Sequence, residues 1–472
     1  MKHLYIIILL SICFTACKKE QKQDLNSCAF LGGEIINPSD RYVIISKENN
    51  VLDTVTLDKK NRFLFKINPV DPGLYTFSHG GEIQMIFLEP NDSIIFRLNN
   101  LDFDESLVFT GRGAKENNYL INLFLKNEEV NHKILKMSQM APKKFEHELD
   151  SIKHAFQKHL NKFESKYNTS PLFNEIAQAN IDYNFYAQKE LYPFTCYRNT
   201  ELKNFEALPE DFYDYRSKID YNNEKLKNYF PYYNFLKYHF NNIALQKHFC
   251  HSSDSIFNNK SLDYNLDKIQ LIDSLVTSDS IKNPLLKFAA FRYINSSNNV
   301  DDYTPFLNSF LKKSTSKKNN KQIKTLIESL IELKPGNTLP NTLVTNNQGK
   351  EIHTTDFIKG PTAIYFWSFN MENHFIESHK KIEELRKKYP EIDFVAINID
   401  KNEANWINYL KSHHYPTKNE YHFIHPDISK QILALNSINR VMLINKNSTI
   451  VNSNANMFSK HFEVELLGLI NQ

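Results

Sequence analysis

Tyr365-Phe366-Trp367-Ser368-Phe369-Asn370-Met371-Glu372-Asn373-His374 is the segment from which the rest of this chain is best read. It ends an apolar run that begins at Thr362. That run is short, aromatic and rich in β-formers, the pattern of a buried strand. A helix over Phe375 to Lys388 follows at once. A cysteine at such a helix start would be activated as a thiolate, and a second would resolve the mixed disulfide. The helix start carries Met371 and His374 and no cysteine. A thioether cannot attack and leave reversibly, and an imidazole cannot resolve a disulfide.

The surrounding segments extend the pattern. Phe394, Val395, Ala396, Ile397 and Ile399 mark a strand over Ile392 to Asp400, and Glu403 to Lys411 reads as a helix. Leu339-Pro340-Asn341 with Asn347-Gln348-Gly349-Lys350-Glu351-Ile352 looks like a lead-in hairpin, and Asp356 to Gly360 like the turn before the first core strand. Val441 to Val451 forms a second hairpin through Asn447-Ser448, where Asn447 is expected to tolerate the positive φ. From about Pro335 to Gln472 these segments resemble the TlpA/ResA-like (AhpC/TSA-related) branch of thioredoxin-like proteins, in the lipoprotein form found in Bacteroidetes. The resemblance implies a thioredoxin-like α/β domain. It places Met371 and His374 at the two positions of the family's Cys-x-x-Cys, and Asn439 at its cis-proline. A non-proline cis bond costs about 3–4 kcal/mol, so Asn439 is expected trans. Both cysteines and the proline that shapes the substrate groove are therefore missing.

At 472 residues the chain is too long for one core. Lys+Arg 57 against Asp+Glu 54 leaves +3, which gives no field for nucleic acid. Met1-Lys2, the apolar run Leu4 to Phe14 and Phe14-Thr15-Ala16-Cys17 read as a signal segment ending in a lipobox, with Cys17 lipidated after cleavage. The run is too short to span a membrane, so the chain is expected to be anchored rather than inserted. The remaining cysteines, Cys28, Cys196 and Cys250, fit neither Cys-x-x-Cys nor a zinc spacing.

Residues 29–112 alternate or run apolar in seven short segments, with turns about every ten residues, the mark of a β-sandwich. Gly111-Arg112-Gly113 reads as a tight turn before a helix rather than a phosphate loop, since no Lys-Ser/Thr follows. Residues 113–333 read as helical. Ile134, Leu135, Met137, Met140, Phe145, Leu149, Ile152, Phe156, Leu160 and Phe163 recur at helical spacing. The aromatic crowding around Tyr183, Phe185, Tyr186 and Tyr229 to Phe240 reads as helix packing, with a ligand groove as the alternative. Lys312 to Lys321 reads as a solvated basic loop, and Lys334 to Asn337 as a linker.

The expected organisation is thus multidomain α+β: signal peptide 1–16, tether 17–28, β-sandwich 29–112, helical domain 113–333 and thioredoxin-like domain 334–472. The expected role is a non-catalytic envelope lipoprotein on the periplasmic side or outer-membrane surface. It would be held by lipid on Cys17 and would bind an envelope protein or peptide through Trp367, Phe369, Met371, His374 and Asn439. No cofactor and no metal are expected. One rival is a thiol–disulfide oxidoreductase working through Cys28, Cys196 or Cys250. Another is copper held by Met371, His374 and His379, since copper(I) prefers soft ligands.

Overall fold

The computed structural model describes residues 27–471 apart from 49, 196–200, 298 and 403–404. Cys17 with its signal segment, and Cys196, lie outside the described residues. The chain packs as two compact units, one up to Asn242 with Ser255–Phe257, the other Ile243–Asp254 with Asn258 onward.

In the first unit, alternating strands build two four-stranded sheets. They are β1 (Ala29–Ile36), β2 (Tyr42–Lys47), β3 (Asn50–Thr56), β4 (Arg62–Ile67), β5 (Gly73–His79), β6 (Glu82–Leu88), β7 (Ser93–Asn99) and β8 (Val108–Arg112). The sheet orders are β4-β1-β7-β8 and β3-β2-β5-β6. Every second residue of β5 and β7 is buried, as a half-exposed strand requires. Leu31, Val43, Ile45, Phe77, Ile94 and Phe96 join the two inner faces into one core, where the Phe77 and Phe96 rings stack 4.5 Å apart.

Helices α1 (Ala114–Met137), α2 (Pro142–Lys166), α3 (Pro171–Thr195), α4 (Leu202–Glu206) and most of α5 (Phe230–His251) follow in the same unit. Phe185, Tyr232, Phe235 and Phe240 are buried, so the aromatic crowding is mainly helix packing. A cleft of about 620 Å³ does open beside it, lined by Tyr186, Tyr213, Tyr215, Lys153 and Lys189.

The second unit holds α6 (Leu262–Leu275), α7 (Asp279–Ser296), α8 (Tyr303–Lys313) and α9 (Lys317–Glu332) together with the C-terminal sheet. The expected basic loop at Lys312–Lys321 is a correction: its ends belong to α8 and α9, and only residues 314–316 connect them. Asn283 holds that connector, accepting at Oδ1 from Ser314 Oγ and the Thr315 and Ser316 N–H groups. Ser316 Oγ then caps α9 by accepting from Asn319 N at 3.3 Å. Polar residues in a first helical turn look like a loop in sequence.

The sheet runs β10 (Glu351–His353), β9 (Leu343–Asn346), β13 (Glu420–Phe423), β12 (Asp393–Asn398), β11 (Thr362–Trp367), β14 (Arg440–Ile444), β15 (Ile450–Asn456). β11 pairs parallel with β12 and antiparallel with β14. All six residues of β11 are buried, because both faces are covered. Helices α10 (Glu372–Lys388), α11 (Trp406–Ser412), α12 (Pro426–Ile432) and α13 (Phe462–Ile470) complete an α/β domain. In the β14–β15 turn the left-handed residue is Ser448 (φ 60°), not Asn447. Asn445 Oδ1 accepts from the Asn447 and Thr449 N–H groups and fixes that turn.

Candidate functional site

The end of β11 meets the start of α10 over Asp400. That carboxylate is 7% exposed and gathers the junction. It accepts from Ser368 Oγ at 2.5 Å, Phe369 N at 2.9 Å, Asn370 Nδ2 at 3.2 Å and Asn398 Nδ2 at 2.8 Å. Ser368 Oγ in turn accepts from Asn370 N at 3.2 Å. These bonds satisfy donors that the strand leaves when it stops, and they set the path into Met371, the residue that precedes α10.

Beneath the junction lies a second buried carboxylate, Glu420, 2% exposed on β13. Trp367 Nε1 donates to its Oε2 at 3.0 Å, and the Tyr365 hydroxyl stands 3.5 Å from Oε1. Burial first, and the Glu420 carboxylate second, push the Tyr365 phenol well up. His379 Nδ1 lies 2.8 Å from the Phe375 carbonyl and must donate to it, while Nε2 lies 3.3 Å from Glu420 Oε1, off the hydrogen-bonding line. Neither the strand β13 nor this acid figured in the sequence reading. The short apolar alternation Tyr421-His422-Phe423 after Asn419 (φ 61°) was the available signal.

The expected binding residues separate into two groups. Trp367 is fully buried, which corrects its placement on a binding face: its indole N–H is spent on Glu420 and its ring packs on Phe375. Phe369 is half-buried against Tyr409. Met371 is 49% exposed, and Asn439 is exposed with its preceding peptide trans. His374 sits between these extremes. Its ring meets Phe458 edge-on, and both ring nitrogens are shut from solvent with no hydrogen-bond partner. Burial, and then the nearby His379, hold its imidazole below the usual histidine range. His379 turns both nitrogens into the protein, so the structure gives no observation that joins it to Met371 and His374 around copper.

Residues 251–472 contain no cysteine. Cys28 is 6% exposed, and Cys250 is exposed in the last turn of α5. A different set of side chains converges nearby: His248 and His251 on α5 face Asp267 on α6. The His-x-x-His spacing of His248 and His251 on a helix is its signal in the sequence.

Among solved structures, a candidate thiol-disulfide oxidoreductase from Bacteroides vulgatus is 26% identical, covers 29% of this chain and 98% of its own, and superposes with a TM-score of 0.27. The thioredoxin domain of a thiol-disulfide oxidoreductase from the same species is 15% identical, covers 29% and 99%, and has a TM-score of 0.24. A thioredoxin-like protein from Bacteroides caccae is 15% identical over 60% of this chain and 93% of its own, with a TM-score of 0.34. No curated protein matches the chain. No helix among the described residues is long and apolar enough to cross a membrane. Residues 360–450 match the family described as Thioredoxin-like, and the strand–helix unit built around Trp367 is a thioredoxin-like domain.

Proposed function

We propose that this chain is a cell-envelope lipoprotein, held by lipid on Cys17 at the periplasmic side or outer-membrane surface, whose thioredoxin-like domain binds a partner without redox catalysis. The carrying observation is the helix start. Met371 and His374 occupy it, and no sulfur nucleophile follows residue 250. Met371 (49% exposed) and Phe458 (45% exposed) are apolar surface, and the His374 ring lies edge-on against Phe458 with both nitrogens turned away from solvent. Exposed apolar side chains beside the helix start suit a peptide or protein segment that covers them with apolar contact. Asn439, exposed before β14, is the further residue proposed for this face.

The rival reading is a thiol–disulfide oxidoreductase acting through Cys28, Cys196 or Cys250, and the exposure of Cys250 favours it. The test is to trap thiols in native membranes, purify the anchored chain and compare co-purifying species with and without reductant. A partner retained with no disulfide, and lost in Met371→Asp, supports the binding module. A partner released only by reductant overturns it.

A further inference from the structure

The last turn of α5 and the second turn of α6 bring three side chains together, His248, His251 and Asp267, whose ligand atoms all lie within 4.8 Å of one another. The two histidines are three residues apart on one helix and so share a face. His251 Nε2 lies 2.6 Å from Asp267 Oδ2. His248 is 3% exposed, and its Nε2 lies 3.1 Å from Asp254 Oδ2. A nitrogen facing a carboxylate carries the hydrogen, which leaves Nδ1 of a neutral His248 as a bare lone pair. That Nδ1 has no hydrogen-bond partner and lies 4.0 Å from Asp267 Oδ2. In that tautomer two acceptors face each other, and no hydrogen bond joins them.

A cation at that point turns both acceptors into ligands. We propose that His248 Nδ1, His251 Nε2 and the Asp267 carboxylate form a site for a divalent transition-metal ion. Two imidazoles and one carboxylate suit zinc, nickel or copper(II), whereas calcium and magnesium prefer all-oxygen sets. Zinc is the ion we assign. Three protein ligands leave its fourth position for water or an incoming group. Asp254 acts as the outer carboxylate that fixes the His248 tautomer, a positioning residue rather than a ligand. The negative end of α5 also favours positive charge at this point. The ion replaces the proton that His251 Nε2 shares with Asp267. Lys247 Nζ, 3.1 Å from Asp267 Oδ1, leaves Oδ2 for the metal while its charge opposes the ion.

The test is competition of the chelator-stripped full chain for Zn²⁺ against a chromophoric chelator, with Co²⁺ as optical probe. One tight equivalent is expected, with the visible bands of a four-coordinate cobalt site. His251→Ala and Asp267→Asn lose it by 100-fold or more. Asp254→Asn weakens it about 10–100-fold, the usual cost of removing an orienting partner. Lys247→Met binds at least as tightly as the parent, and Cys250→Ser is unchanged. The His251 side chain is 48% exposed, so His251→Ala keeps the fold, which a metal-free melt verifies. Should Asp267→Asn not fold, His251→Ala and Asp254→Asn decide. Absence of a tight equivalent in the parent, survival of that equivalent in His251→Ala, or its loss in Cys250→Ser each overturns the site.

Discussion

Two buried aspartates, Asp92 and Asp400, each stand beside the junction where a strand gives way to a helix, and each is 7% exposed. Their surroundings differ. At the end of the sandwich, α1 starts after Gly113, whose φ is 87°, and a Cβ there would come within 2.6 Å of Asp92 Cγ. Only glycine admits both the backbone and the carboxylate. Asp92 accepts the Glu89 N–H at 2.8 Å, and burial pushes its carboxyl up to about 6. In the thioredoxin-like domain no glycine is used, and Asp400 is surrounded by donors from Ser368, Phe369, Asn370 and Asn398. Equal burial thus produces a weakly held acid in one place and an organising acceptor in the other. The two sites differ in their donors rather than in their depth.

If the comparison holds, the largest effect belongs to Asp400→Ala. It strands several buried donors at once, and about 3 kcal/mol or more of domain stability should be lost. Both tryptophans, Trp367 and Trp406, are buried in this domain, so urea unfolding followed by tryptophan emission reads it without the sandwich. The comparison breaks if Asp400→Ala shifts that midpoint no more than a surface substitution does. Glu420→Ala comes next. It leaves the Trp367 indole N–H without its acceptor, a cost of about 1–3 kcal/mol, and native emission should shift with it.

Asp92→Asn should be smaller and should depend on pH. The folded carboxyl holds its proton more tightly than the unfolded one, so the native state binds the extra proton. That stabilisation is complete below the ordinary carboxylate range and is lost as pH rises through about 6. Asparagine cannot ionise, so the variant should gain on the parent between about pH 4 and 7. A thermal melt by near-ultraviolet circular dichroism measures the gap. A gap that does not change with pH would mean that Asp92 is already a settled anion at the α1 N-terminus, like a capping carboxylate.

The same contrast explains what was legible in the sequence. Strands such as β5 and β7 alternate strictly, and the tight turn at Gly111-Arg112-Gly113 was readable from composition, because each depends on local rules. The junction over Asp400 was visible as a strand running into a helix, but its function rests on bonds between residues about thirty apart in sequence. Glu420 lay further out of reach, since it meets Trp367 only after β13 has joined the sheet. Trp367 closes a run that reads as a buried strand, and it was set on the binding face only because it stands next to the degenerate Cys-x-x-Cys positions. His248, His251 and Asp267 divide between two helices, and spacing on one of them shows only half of the set.

The smallest stability effect should come from His374→Ala, and it bears most directly on function. Its ring nitrogens donate to and accept from no group, so truncation breaks no hydrogen bond. Its imidazole is held low by burial, so it is neutral at pH 7 and no ion pair is lost. The contact with Phe458 is lost, and the urea midpoint should move by less than about 1 kcal/mol or rise slightly as an unsatisfied group is removed. If that midpoint is unmoved while the partner co-purifying from native membranes falls away, His374 serves recognition, and Asp400 and Glu420 beneath it serve position. If His374→Ala unfolds the domain as readily as Asp400→Ala does, the helix start is ordinary core and the contrast between an organised platform and a free face disappears.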